Sequence, residues 1–237
     1  MKVGVIQSNY IPWRGYFDFI NSVELFVLYD DVQFSKGSWR NRNKLRFLKE
    51  SRWITIPVEV RLGMSINTVK INTKRNWRKE HRELLNESLS NAPYFNEALN
   101  LWEDGVNVDT EFLSVINENL IRVLCKYLEI NTRIIRSDQF ELMGSKTDRL
   151  MCLFKKVGCT SYLSGPAAGS YLNEEQFKNE NIELTYKSYD YLPYPQLFPE
   201  FDPAVTILDL IANTGKQAKN HIQSNTPDKT VKFQKER

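Results

Sequence analysis

Two short apolar runs at the start of the chain, separated by a polar loop and a few helical residues, restrict the fold more than anything else in the sequence. Lys2–Gln7 is β-branched and apolar and reads as a buried strand. A loop follows at Ser8–Pro12. Gly15–Asn21 then reads as a short helix with Phe17 and Ile20 on one side, and Leu25–Tyr29 as a second buried strand. A strand–loop–helix–strand opening of this kind predicts an α/β fold with a Rossmann-like, doubly wound parallel sheet. In such a sheet the ligand sits at the carboxyl ends of the strands. Gln7–Trp13 and Asp30–Arg42 fall there.

The rest of the chain fits one α/β domain over residues 1–215, with a mainly helical insertion at 76–128. Trp53–Val60 and Val69–Ile71 alternate like strands, with Gly63 at the turn. Trp77–Leu89 and Tyr94–Trp102 read as helices. Phe112, Ile116, Leu120, Leu124 and Leu128 recur every four residues, so Asp109–Leu128 reads as a helix with Asp109 as its cap. Arg133–Arg136, Thr160–Leu163 and Glu183–Tyr189 read as strands. Lys146–Val157 is a helix capped by Ser145, with Asp148 in capping-box position and Gly158 ending it. Asn173 opens a short helix to Asn179, and Thr206–Ala212 is a last one. From Lys216 to Arg237 the polar sequence predicts a flexible tail.

Several function classes lack material. The two histidines, His81 and His221, and three cysteines make a His/Cys metal site or a Ser-His-Asp triad unexpected. The cysteines read as reduced thiols, no apolar stretch approaches a membrane span, and no signal peptide is visible, so a cytoplasmic location is expected. A net charge of +3 says little by itself; only local clustering of charge matters.

Four segments are candidates for chemistry. In the first, QSNYIPWRGYF, Gln7 ends a strand, and Tyr10, Trp13, Arg14 and Tyr16 surround a turn into a helix whose free N–H groups suit an anion. The second, Asp30–Arg46, sets Asp30 and Asp31 at a strand end. A polar loop follows with Lys36, Trp39, Arg40, Asn41, Arg42 and Asn43, whose guanidinium forks match phosphate or carboxylate oxygens. Either aspartate would hold Mg²⁺, orient a sugar hydroxyl or cap the turn; the sequence leaves these open. The third, YLSGPAAGSY, offers Ser164 and Gly165 to an anionic or carbonyl oxygen. The fourth, Tyr186–Phe198, presents aromatic and proline surface.

These residues carry a resemblance. Gln7, Tyr10, Pro12, Trp13, Gly15, Tyr16 and Phe17 resemble the QPxYxPWxGYF opening of the WbqC-like family, with Ser8 in place of a frequent proline. DDVQFSKGSWRNRNKLR resembles that family's DxVQYxKxxWxNRNxI segment. WITIPV, KTDRL, YLSGPAAGSYL and TILDLIANTG continue the likeness to about Gly215. The resemblance implies a bacterial protein engaged in assembling surface polysaccharide such as O-antigen. The opening turn is also distantly similar to the HxGH nucleotidyltransferase turn, with Trp13, Arg14, Gly15 and Tyr16 at the corresponding positions and both histidines missing.

Together these features lead to the expectation of a transferase that modifies a nucleotide-linked amino sugar, by aminoacyl or acyl transfer. Gln7, Tyr10, Asp30 and Asp31 are its expected catalytic residues. Trp13, Arg14, Tyr16, Lys36, Trp39, Arg40, Asn41, Arg42, Asn43, Ser164 and Gly165 are its expected substrate contacts. Mg²⁺-dependent nucleotidyl transfer and a non-catalytic binding module are the alternatives. The expected partner is a small anionic molecule rather than nucleic acid.

Overall fold

The computed structural model describes residues 1–232. Strand β1 (Lys2–Ile6) runs through the polar loop into helix α1 (Arg14–Asn21) and returns as β2 (Leu25–Leu28). The chain then leaves the sheet. It forms a hairpin of β3 (Arg42–Arg46) and β4 (Ser51–Thr55), a short ribbon of β5 (Val58–Glu59) and β6 (Lys70–Ile71), and helices α2 (Trp77–Leu89), α3 (Phe95–Val106) and α4 (Leu113–Tyr127). It comes back as β7 (Arg133–Arg136), α5 (Lys146–Val157), β8 (Ser161–Ser164), α6 (Glu174–Asn179) and β9 (Glu183–Tyr186), and finishes with α7 (Ile207–Thr214) and β10 (Lys229–Thr230).

The main sheet has the order β10-β9-β8-β1-β2-β7. Its four pairings from β9 to β7 are parallel, and β10 runs antiparallel to β9. The fold is therefore the Rossmann-like α/β arrangement that the opening residues predict. Strand order reverses between β1 and β8, which puts the expected ligand crevice beyond Ile6. One face of the sheet packs α1, α7 and the helices of the excursion. The other packs α5 and α6 against Val3, Val5, Leu25 and Val27. Gly4 lets α1 sit close: a Cβ there would fall 2.5 Å from the Phe19 ring.

The structure departs from the sequence reading in four places. Arg42–Arg46, read as part of a polar loop, is strand β3, because Asn43 and Leu45 alternate inward while Arg42 and Lys44 face outward. Trp53–Val60, read as one strand, is divided by Pro57 between two different pairings. The cap expected at Asp109 lies three residues later at Phe112, which is held extended by pairing with Lys70. The expected flexible tail is built in as far as it is described. A 3-10 turn over Gly215–His221 buries Ala218, Ile222 is buried, and β10 extends the sheet. Residues 233–237 of that tail lie outside the described residues.

Candidate functional site

The loop leaving β1 is fixed from below by backbone bonds. Ser8 N–H donates to the Asp30 carboxylate at 2.8 Å, and the Tyr16 hydroxyl donates to the Gln7 carbonyl at 3.1 Å. Ile11 has φ of +36°, a region that β-branched residues avoid. Asn43 on β3 holds it there, donating through Nδ2 to the carbonyls of Tyr10 (3.2 Å) and Ile11 (2.8 Å). Strain held in place by surrounding hydrogen bonds is a feature of binding loops.

Arg40 enters this loop from the segment before β3. Its guanidinium donates to Gln7 Oε1 at 2.9 Å and to Asn9 Oδ1. Both acceptors are neutral carboxamides. Asn117 of α4 secures the arrangement, donating to the Arg40 carbonyl at 2.8 Å and to Ser8 Oγ at 3.2 Å. Burial lowers the Arg40 pKa, and the charges of Tyr16 and Asp30 work against that. A guanidinium stays protonated regardless. Arg40 is thus a mostly buried cation with no carboxylate in hydrogen-bond contact among the described residues.

A cleft of about 340 Å³ opens beside Asn9. Trp13 and Trp39 form its aromatic walls, Pro12, Pro203 and Ala204 its aliphatic ones, and Asn9 and Asn43 supply the polar groups. Trp13 is buttressed by Tyr189 and Tyr191, with ring centroids at 5.3 and 5.9 Å, and by Gly15, where a Cβ would come within 2.4 Å of the indole. Trp39 is 43% exposed and leans on Trp53 at 5.2 Å. Apolar walls with a few convergent amides are the usual make-up of a small-molecule site. Asp30 lines a separate, smaller pocket with Asn67 and Glu118, and burial raises its pKa to about 6, partly opposed by its bonds to Ser8 and by Arg40.

Of the residues expected from sequence, Trp13, Trp39 and Asn43 line this cleft, Arg40 and Gln7 join it through Asn9, and Tyr16 and Asp30 bond the backbone of the loop that carries Asn9. The others go elsewhere. Tyr10, expected to orient the reacting group, is fully buried in the opposite direction. Trp102 Nε1–H donates to its hydroxyl, the hydroxyl meets His81 Nδ1, and His81 Nε2 meets the Thr55 carbonyl. The tautomer that completes this chain has the proton on Nε2. Arg14 turns away from this cleft. Its guanidinium donates to the Leu192 and His221 carbonyls and lies over Tyr191 and Tyr194. Asp31 is taken by Arg149 and Ser137. Asn41 donates to the Ile56 carbonyl, Arg42 stacks on Trp53, and Lys36 lines a different cleft. Ser164 is buried against Tyr162, and Gly165 begins a 3-10 turn with open space where a Cβ would be.

The sequence reading missed Asn9, Asn117, Pro203 and Ala204. Asn117 did leave a signal: it is a polar residue on the buried stripe of α4, beside Ile116, Leu120 and Ile121. Pro203 and Ala204 left none, since only the tertiary fold brings them to Trp13. The Mg²⁺ role considered for Asp30 and Asp31 does not fit. Their carboxylates are bonded apart, and among the described residues no three His, Cys, Asp or Glu side chains are grouped to hold a metal. Among the described residues, no helix is long and apolar enough to cross a membrane.

A model of the WbqC-like protein family matches residues 7–221. The chain is also 40% identical, over 227 residues, to a Mycobacterium tuberculosis (strain ATCC 25618 / H37Rv) protein named "Uncharacterized protein Rv1507c". That alignment covers 94% of this chain and 97% of the relative. No solved structure matches.

Proposed function

From the premise that the chain belongs to the WbqC-like protein family, we propose that it is a transferase acting on a nucleotide-linked amino sugar in surface-polysaccharide biosynthesis, by aminoacyl or acyl transfer. The observation that carries this reading is Arg40, a mostly buried cation bonded among the described residues to the neutral side-chain amides of Gln7 and Asn9, the second of which lines the aromatic cleft. A buried charge without a partner is costly, and an anionic ligand group offsets that cost. The guanidinium fork suits a carboxylate or phosphate oxygen. The indoles of Trp13 and Trp39 suit the flat, partly apolar faces of a sugar ring, and the amides of Asn9 and Asn43 suit its hydroxyls.

In acyl transfer the sugar nitrogen forms a bond to the acyl carbon. The bond to the leaving group breaks with its electron pair, and the nitrogen loses a proton. Asp30 is assigned that proton: with a pKa near 6 it is ionised at neutral pH yet more basic than an ordinary carboxylate. Arg40 is assigned the charge that builds on the acyl oxygen. Gln7 and Asn9 keep the guanidinium aimed.

The test is calorimetric titration of the full chain with a panel of nucleoside-diphosphate amino sugars. One or more should bind saturably. Arg40→Gln and Trp39→Ala should each weaken binding by about tenfold or more, equivalent to roughly 1.4 kcal/mol. Affinities unchanged in both variants would remove this assignment.

A further inference from the structure

The basic residues after β2 do not act as one group. Arg40 turns toward Gln7, whereas Lys36 and Arg42 line a separate cleft of about 690 Å³ between the 33–37 loop, β3 and residues 55–63. Arg61 also lines it, so three cations and, among the described residues, no acidic side chain line this cleft. None of the three takes part in an ion pair among the described residues.

Arg42 is held ready rather than left loose. Its guanidinium lies flat on Trp53, 3.9 Å from the ring centroid. Gly37 also lies against it, and a Cβ there would be 3.5 Å from a guanidinium nitrogen. Stacking occupies the face of the group and leaves its edge donors for a ligand. The Nε of Arg42 is buried without a hydrogen-bond partner, as is Oδ1 of the neighbouring buried Asn41, which also lines the cleft. A stacked guanidinium sharing its cleft with two exposed cations matches a group carrying several negative oxygens.

We propose that this cleft binds a diphosphate group, independently of the Arg40 site. Nucleoside diphosphates and lipid-linked diphosphates share that group. Leu62 at the rim is 99% exposed, and Val60 beside it is also exposed. Both lie where the chain of a lipid diphosphate would leave the cleft.

The probe is inorganic pyrophosphate, titrated into the full chain and followed by calorimetry. Saturable binding is expected. The double variant Lys36→Ala/Arg61→Ala, both at exposed positions, should weaken it by about tenfold or more, and Arg42→Met by a similar factor. Arg40→Gln should leave pyrophosphate affinity unchanged, which separates this site from the sugar cleft. No saturable binding, equal affinity in the double variant, or loss in Arg40→Gln would overturn the proposal. Competition arms identify the source. Displacement of pyrophosphate by a nucleoside diphosphate assigns the group to a nucleotide. Stronger displacement by a short prenyl diphosphate, lost in Leu62→Ser, assigns it to a lipid carrier.

Discussion

Asp30, the proposed base, is kept buried at a cost to the fold. Burial raises its pKa from 3.8 to about 6, so folding favours the protonated form. In the unfolded chain the group ionises near pH 4. Between about pH 4 and 6 the unfolded state therefore loses its proton first, and native stability falls as pH rises. Above 6 the loss is complete, at roughly 3 kcal/mol or less. Asp30→Asn should raise the urea midpoint at pH 7.5 and do so less at pH 4.5, while abolishing transfer. An equal gain at both pH values would refute the burial argument. His81 has the opposite sign. Burial lowers its pKa from 6.5 to about 4, so stability is lost as pH falls through that range and the ring must charge inside the Tyr10–Trp102 cluster. Neither effect was legible in the sequence, where Asp30 and Asp31 are adjacent and equivalent. What separates them is that Ser8 meets one and Arg149 the other.

Helices α3 and α4 set the position of Asn117, and hence of Arg40. Gly105 on α3 is what lets them approach: a Cβ there would sit 2.3 Å from a Leu120 methyl and 3.1 Å from the Leu120 Cα. Gly105→Ala should destabilise by about 1–3 kcal/mol through overpacking, despite a gain of up to roughly 1 kcal/mol in helix propensity. Urea denaturation with an unchanged slope checks this. The four-residue apolar spacing of α4 was readable because the helix buries one face throughout. The β3–β4 hairpin was not, because its outward residues Arg42 and Lys44 make the strand look like a charged loop. The alternation of Asn43 and Leu45 behind them is only two residues long.

At the scale of the whole molecule, the first strand–helix–strand unit correctly implied a parallel sheet. It could not show that the chain's end would return to it. Lys187, 5% exposed, lies between Asp18 of α1 at 3.0 Å and Asp228 just before β10 at 3.1 Å. Ser224 N–H also donates to Asp18. Truncation after Ile222 removes Asp228 and leaves the Lys187–Asp18 pair less compensated. It should cost about 2–4 kcal/mol, read as a lowered melting temperature, whereas Lys229→Ala on exposed β10 should have little effect. The aromatic cleft has the same long-range construction: Trp13 and Trp39 come from the start of the chain, Pro203 and Ala204 from near its end. During translation the two indoles leave the ribosome first. At about 5–20 residues per second, the span from Asn43 to Pro203 takes on the order of 10–30 s to synthesise. Throughout that interval the two indoles lack their partners from the far end of the chain, and no nascent chain shorter than about Ala204 can close the cleft.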